Sequence, residues 1–206
     1  MVGIDSEAGP TEILVIADAS ADATFIAADL VSQAEHDELA AAVLVTDSEE
    51  LASAVVAEVD RLAKSAAHAA RVATSLAGEQ SAVVLVSDLS EGAAFSNAYG
   101  PEHLELQVAE PGVLLDQIDN AGAIFLGAYS PVSLGDYLAG SNHVLPTGGQ
   151  SRFSSGLGAY TFLRPQQVIE YDRDALREVE SRIVALSTAE DLPAHGAAVT
   201  ARFPSA

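Results

Sequence analysis

The sequence contains no cysteine, and this absence excludes several kinds of chemistry at once. The chain has no disulfide bond, no thiolate metal ligand and no cysteine nucleophile. Its 206 residues suffice for one ordinary domain, or for one domain with a small appendage. Apolar residues make up 49% of the chain, so we expect a packed core rather than disorder.

Basic residues are also scarce, with 9 lysines and arginines against 30 aspartates and glutamates. The formal net charge of −21 disfavours binding to nucleic acid or to an anionic membrane surface, because both carry negative charge. The longest apolar stretches, such as residues 121–126, are too short to span a bilayer. No signal-peptide pattern is visible at the N-terminus. We therefore expect a cytoplasmic protein without a nucleic-acid or membrane partner.

Strand-like and helix-like segments alternate through the first 126 residues. Short apolar runs rich in β-branched residues predict strands at residues 12–17, 41–46, 81–86, 103–108 and 121–126. Helical periodicity lies between them, at residues 21–37, 48–77, 89–98 and 112–118. This alternation predicts an α/β fold of three α/β/α layers, with a parallel sheet covered by helices on both faces.

The pattern changes after the last of these strands. Residues 129–160 are rich in glycine and serine and lack periodicity, which indicates a long, ordered functional loop. Helices are predicted again at residues 172–187 and 193–203. We therefore predict a partial α/β catalytic domain over residues 1–157 and a small helical C-terminal appendage over residues 158–206.

Histidine is the most informative residue type, because the chain has only 5. Gln33 and His36 share one face of a predicted helix, where a polar helix end at the surface is the alternative interpretation. Glu102 and His103 stand at a loop-to-strand junction, where one can act as a base and the other as its partner. The alternative there is a solvated turn. His68 is predicted to be a surface residue.

Further polar residues stand in the irregular stretch and in the tail. Asp136 and His143 belong to the first, and Glu190 and His195 to the second. Oxygen and imidazole donors of the kind that bind zinc come from four side chains: Gln33, His36, Asp136 and His195. Their spacing along the chain leaves open whether they converge. H-E-x-x-H, P-loop and G-x-S-x-G motifs are missing from the sequence.

Several motifs resemble, in order and spacing, the C-terminal half of the histidinol dehydrogenase family. They are A-G-P-T-E at residues 8–12, S-Q-A-E-H at 32–36, G-P-E-H-L at 100–104, N-A-G-A-I-F-L-G at 120–127, G-D-Y at 135–137 and G-S-N-H-V-L-P-T at 140–147. The tail adds A-H at 194–195 and A-V at 198–199. The similarity extends over essentially the whole chain.

The resemblance implies a fold related to aldehyde dehydrogenases and a zinc-dependent, NAD-linked oxidation of L-histidinol to L-histidine through histidinaldehyde, in histidine biosynthesis. In the scheme that it implies, His103 takes the alcohol proton and Glu102 activates the attacking water. It also implies one zinc ion per site, held by Gln33, His36, Asp136 and His195. The substrate contacts that it implies are those four ligands together with Thr11, His103, His143 and Glu190.

The resemblance assigns NAD binding to an N-terminal half that the matched region does not include, so we expect no NAD-binding residue in this chain. It also implies an intertwined homodimer, in which the tail reaches the neighbouring subunit. Three origins stay open: a mis-called start codon, a split enzyme with a separate N-terminal polypeptide, and a degenerate remnant. We expect little or no activity from the chain alone.

Two other functions are compatible with the same residues. A zinc-dependent hydrolase would use Glu102 as the base for a metal-bound water, provided that the metal keeps an open coordination position. A non-catalytic module would retain zinc and bind an imidazole ligand without redox chemistry. Formation of NADH from histidinol distinguishes the dehydrogenase from both.

Overall fold

A computed structural model describes residues 8–203, in which strands and helices alternate. The strands are β1 (Glu12–Ala17), β2 (Ala41–Thr46), β3 (Ala82–Leu85), β4 (His103–Gln107) and β5 (Ala123–Leu126). The helices are α1 (Ala23–Ala34), α2 (Glu49–Ser65), α3 (Ala69–Ala77), α4 (Leu89–Tyr99), α5 (Pro111–Leu115), α6 (Val132–Tyr137), α7 (Arg173–Ala189) and α8 (Pro193–Thr200).

The five strands form one parallel sheet in the order β3-β2-β1-β4-β5. Strand β1 is central, and all six of its residues are buried. Its apolar run I-L-V-I faces helices on both sides, as expected for a strand of a parallel sheet. In register, Ile13 of β1 lies opposite His103 of β4, which in turn lies opposite Ala123 of β5.

Alternating residues of the central strands build two separate cores. Ile13 and Val15 pack in one core with side chains of α1 and α2, whereas Leu14 and Ile16 pack in the other with side chains of α4 and α5. Because successive side chains of a strand point to opposite faces, the sheet is the middle layer between two helical layers. The predicted three-layer α/β/α architecture is confirmed.

The outer strands are less well covered than the centre. Val83 and Leu85 of β3 and Ile124 and Leu126 of β5 are between 38% and 53% exposed. An apolar groove runs beside β3, between that strand and α2. Both outer strands therefore leave apolar side chains uncovered in this chain.

The stretch over residues 129–160, predicted as irregular, contains the short helix α6. Its six residues include Gly135 and are too few to show a clear helical period. Its N-cap is Pro131, whose side chain makes no capping hydrogen bond. The local sequence therefore carries little signal for this helix.

The chain divides into two compact units, and the boundary along the sequence falls between residues 162 and 163. The first contains the sheet and its helices. In the second, α7 packs against α8, and the guanidinium of Arg177 lies 3.9 Å from the centre of the Phe203 ring. None of the described helices is both long and apolar enough to cross a membrane.

Candidate active site

The candidate residues of the first unit gather at one edge of the sheet. Thr11 immediately precedes β1, and Glu102 immediately precedes β4. Because the strands are parallel, both residues lie at the edge where strands begin. Gln33 lies at the end of α1, which returns to that edge after β1. Ligands of open parallel sheets more often bind at the opposite, carboxyl edge.

A continuous hydrogen-bonded chain links three of these residues. The Nε2 of Gln33 donates to the hydroxyl oxygen of Thr11 at 2.7 Å, and that hydroxyl donates to Oε2 of Glu102 at 2.7 Å. The backbone N–H of Glu12 donates to the same carboxylate oxygen at 3.0 Å. The position of the Glu102 carboxylate is therefore fixed, and Gln33 keeps its amide oxygen for another partner.

His103 is buried, and its two ring nitrogens have different surroundings. Nδ1 lies 2.9 Å from the carbonyl oxygen of Glu12 and 3.6 Å from Oε2 of Glu102. Nε2 has no hydrogen-bond partner among the described residues, and it lies 3.9 Å from Oδ1 of Asp136. Buried ring nitrogens are normally hydrogen-bonded, so the unpartnered Nε2 points to a role with a ligand.

Gln33, His36 and Asp136 lie around one small cavity between α1 and α6. Its volume is about 340 Å³, including the open mouth. Gln33 is buried, Asp136 is partly buried and His36 is exposed. The residues lining the cavity are Asp29, Ser32, Gln33, His36, Val132, Ser133, Asp136 and Tyr137.

These donors are of the kinds that bind zinc. Within residues 8–203, no group of three or more histidine, aspartate and glutamate side chains is spaced to hold a metal ion on its own. The set around the cavity instead combines the imidazole of His36, the carboxylate of Asp136 and the amide oxygen of Gln33. Imidazole and carboxylate groups are usual zinc ligands, so these residues are compatible with a zinc ion.

A second buried carboxyl group, Glu12, connects this edge to the loop after α6. Its Oε1 accepts the backbone N–H of Gly148 at 2.8 Å, and its Oε2 accepts that of Glu102 at 3.4 Å. Burial raises the pKa of Glu12, and the nearby Glu102 carboxylate adds to the shift. Glu12 therefore holds the Gly148 loop and the start of β4 together.

The other predicted site residues lie elsewhere. His143 is on the exposed loop after α6, and it does not line the cavity between α1 and α6. Glu190 follows α7, and His195 is on α8; both are exposed residues of the second unit. His68 lies just before α3 and is exposed, as predicted.

Glu12 and Glu105 are not among the site residues predicted from the sequence, although both are buried within strands of the sheet. The sequence does carry a signal for them. Glu105 interrupts a strand whose neighbours in the sheet are apolar, and charged residues are rarely buried unless they are paired. A carboxylate in a buried strand therefore indicates a partner or a role.

A family model and the sequences of known proteins both match this chain to the same family. Residues 1–203 match a family model described as histidinol dehydrogenase. The histidinol dehydrogenase of Leifsonia xyli subsp. xyli is 70% identical over 201 residues, which cover 98% of this chain and 46% of that protein. The one from Thermobifida fusca is 58% identical over 204 residues, covering 99% of this chain and 47% of that protein.

A solved structure also matches this chain. The crystal structure of histidinol dehydrogenase from Elizabethkingia anophelis superposes with a TM-score of 0.89 at 36% identity. The match covers 98% of this chain and 46% of that chain. The chain therefore spans about half the length of the relatives that it matches.

Proposed function

The chain belongs to the histidinol dehydrogenase family, and from this premise we propose that it forms the substrate-holding half of an NAD-linked oxidation of L-histidinol to L-histidine. The observation that carries the proposal is the unpartnered Nε2 of His103, which lies 3.9 Å from Asp136, a residue that lines the cavity together with Gln33 and His36. A candidate base therefore lies close to a set of candidate metal ligands.

Zinc, which membership of the family suggests, suits the donors around this cavity. Gln33, His36 and Asp136 would hold it, with His195 as the fourth ligand. The hydrogen bond from Nε2 of Gln33 to Thr11 leaves the amide oxygen of Gln33 as its ligating atom. When bound, zinc would orient the imidazole and amine nitrogens of histidinol.

In the first oxidation, His103 takes the proton of the substrate hydroxyl, and a hydride passes to NAD from the carbon that bears this hydroxyl. The Glu12 carbonyl oxygen accepts a hydrogen bond from Nδ1 of His103, so the neutral ring carries its lone pair on Nε2. That nitrogen is buried and has no partner among the described residues. The ring is thus oriented in advance for proton transfer.

In the second oxidation, the Glu102 carboxylate takes a proton from the water that adds to the aldehyde. The resulting hydrate anion then loses a hydride to a second NAD, which gives the carboxylic acid. Thr11 and the backbone of Glu12 hold this carboxylate in place. Because the chain lacks cysteine, no thiohemiacetal forms on its side chains, and water addition accounts for the added oxygen.

The remaining parts of the proposal concern partners. NAD binds to a part of the enzyme beyond this chain, and the protein acts in the cytoplasm as a homodimer. Glu190, which would contact the substrate, and His195 belong to the second unit, and they complete the site of the neighbouring subunit. His143 contacts the substrate from the loop after α6. The chain alone then has little or no activity.

The experiment that tests the function combines this chain with the N-terminal half of the Leifsonia xyli relative. NADH formation is followed with histidinol, and zinc is removed with a chelator in a parallel sample. We expect NADH and histidine only from the combination, and their loss on chelation. Binding of histidinol without NADH, by a correctly assembled complex, would favour a non-catalytic module instead.

A further inference from the structure

A second pair of carboxyl groups, Asp29 and Glu105, meets beside the cavity. Glu105 is fully buried on β4, and its side chain is hydrogen-bonded to that of Asp29 on α1. Burial raises the pKa of Glu105 to about 8 and that of Asp29 to about 6. At neutral pH the two groups therefore share a proton, which Glu105 donates to Asp29.

The other hydrogen bonds of Glu105 extend this pair to a third element. The backbone N–H of Val132, the first residue of α6, donates to Oε1 of Glu105 at 3.2 Å. The side-chain amide of Gln107 donates to Oε2, also at 3.2 Å. Glu105 on β4 is thus bonded to both α1 and α6, which form the two walls of the cavity.

Each anchor point lies next to a residue of the proposed site. Asp29 is one helical turn before Gln33 on α1, and Val132 is one turn before Asp136 on α6. Glu105 is two residues after His103, so both side chains leave β4 on the same face. A displacement at the carboxyl pair therefore moves the zinc donors and the base relative to one another.

We propose that Glu105 and Asp29 are positioning residues, which fix α6 against α1 and β4 and so set the spacing of Gln33, Asp136 and His103. The consequence for zinc rests on the function proposed above. Helix α6 is short and has no side-chain cap, so its attachment depends on contacts such as the Val132 hydrogen bond. Neither carboxyl group takes part in the chemistry itself.

A purely structural role makes a different prediction. Replacing a buried polar pair by well-packed apolar groups is often neutral for stability. If Glu105 merely fills space, Glu105→Leu leaves both stability and zinc binding unchanged. If Glu105 positions α6, the same substitution weakens zinc binding even where the chain stays folded.

The test is a titration of the 206-residue chain with zinc ions alone, followed by competition with a chromophoric chelator. We expect Glu105→Leu to weaken zinc binding by about 10–100-fold, the usual effect of losing an outer-shell partner. Glu105→Gln should bind zinc nearly as the native chain does, because its oxygen accepts from Val132, its amide donates to Asp29, and the Gln107 side chain can turn its own oxygen toward that amide. Val45→Ala, in the core on the other sheet face, controls for lost stability.

Equal weakening in Glu105→Leu and Val45→Ala, or none in Glu105→Leu, would overturn the proposal. If the native chain binds no zinc, the proposed metal site fails in this chain, and hydrogen exchange still tests the positioning. In that case Glu105→Leu should speed exchange at the amides of α6, whereas Glu105→Gln should not. Unchanged exchange in Glu105→Leu would show that the pair does not hold α6.

Discussion

The imidazole of His103 is held by the backbone of Glu12, whose carbonyl oxygen lies 2.9 Å from Nδ1. A carbonyl oxygen only accepts hydrogen bonds, so the proton of the neutral ring is on Nδ1. The strand next to β4 therefore selects the tautomer of His103, and the free lone pair of the ring is directed away from that strand. The position of the candidate base follows from the register between β1 and β4.

The proposed mechanism predicts that His103 and Glu102 act in different steps. In the assembled enzyme, His103→Asn should slow oxidation of histidinol by about 10²–10⁴-fold, the usual cost of removing a general base. Glu102→Gln should chiefly slow oxidation of histidinaldehyde, because only that step consumes water. Rates measured with each substrate supplied separately check the assignment, and unchanged aldehyde oxidation in Glu102→Gln would contradict it.

Thr11 is expected to stabilise the site through its hydroxyl rather than its methyl group. Thr11→Val leaves Glu102 and Gln33 without the group that links them, which should cost about 1–3 kcal/mol of unfolding free energy. Thr11→Ser keeps both hydrogen bonds and should lose much less. Urea denaturation of the three proteins compares them, and equal losses in both variants would assign the effect to the methyl group.

Gly122 is predicted to tolerate no side chain. A Cβ at this position would lie 2.6 Å from the backbone oxygen of Glu102, which cannot move without shifting the start of β4. Gly122→Ala should therefore destabilise the fold by about 1–3 kcal/mol, as overpacking does. Gly112→Ala is the matched control, because nothing lies within 4 Å of its Cβ and Gly112 is in helix α5. We expect that control to be neutral or stabilising.

Stability should depend on pH through Glu105. Its pKa is raised by burial from 4.5 to about 8, so the folded chain keeps a proton that the unfolded chain has lost. The native free energy of unfolding should therefore fall, relative to that of Glu105→Gln, as pH rises from about 5 to about 8. Urea denaturation across this range measures the difference. Glu79→Gln controls for the loss of one exposed charge, and parallel curves for native chain and Glu105→Gln would refute the effect.

The tail is predicted to complete the site in the neighbouring subunit. Mixing His36→Ala and His195→Ala chains in assembled enzyme should restore part of the activity, since a mixed dimer contains one intact site out of two. Each variant alone should remain inactive. Activity measured before and after subunit exchange tests this, and no recovery after demonstrated exchange would place both residues in the site of a single subunit.

Much of the fold could be predicted because its signals are local. The apolar runs of β1 and β2 and the amphipathic pattern of α2 are visible within windows of a few residues. The hydrogen bond between Asp29 and Glu105 joins residues far apart in the chain, and neither residue indicates the other. The helix α6 gave no detectable period, because it ends within two turns.

Some residues around the cavity could be named from the sequence, and others could not. The order and spacing of the motifs selected Gln33, His36 and Asp136, and the structure places all three around one cavity. The return of α1 to the edge where the strands begin follows from the predicted parallel sheet, whereas the position of α6 on the other side of the cavity does not. The role of Glu12 depends on a hydrogen bond to Gly148, across 136 positions of the chain.

The carboxyl groups near this edge accept hydrogen bonds from backbone amides and form no ion pairs with lysine or arginine among the described residues. Glu12, Glu102 and Glu105 each accept a backbone N–H, and in the described part of the chain no lysine or arginine forms an ion pair with them. Fixed dipoles in a buried setting are hardly screened by dissolved salt, whereas repulsion across a surface with a net charge of −21 is screened strongly. Raising the ionic strength should thus weaken the repulsion between the surface charges of this acidic chain. The geometry around His103 should stay unchanged.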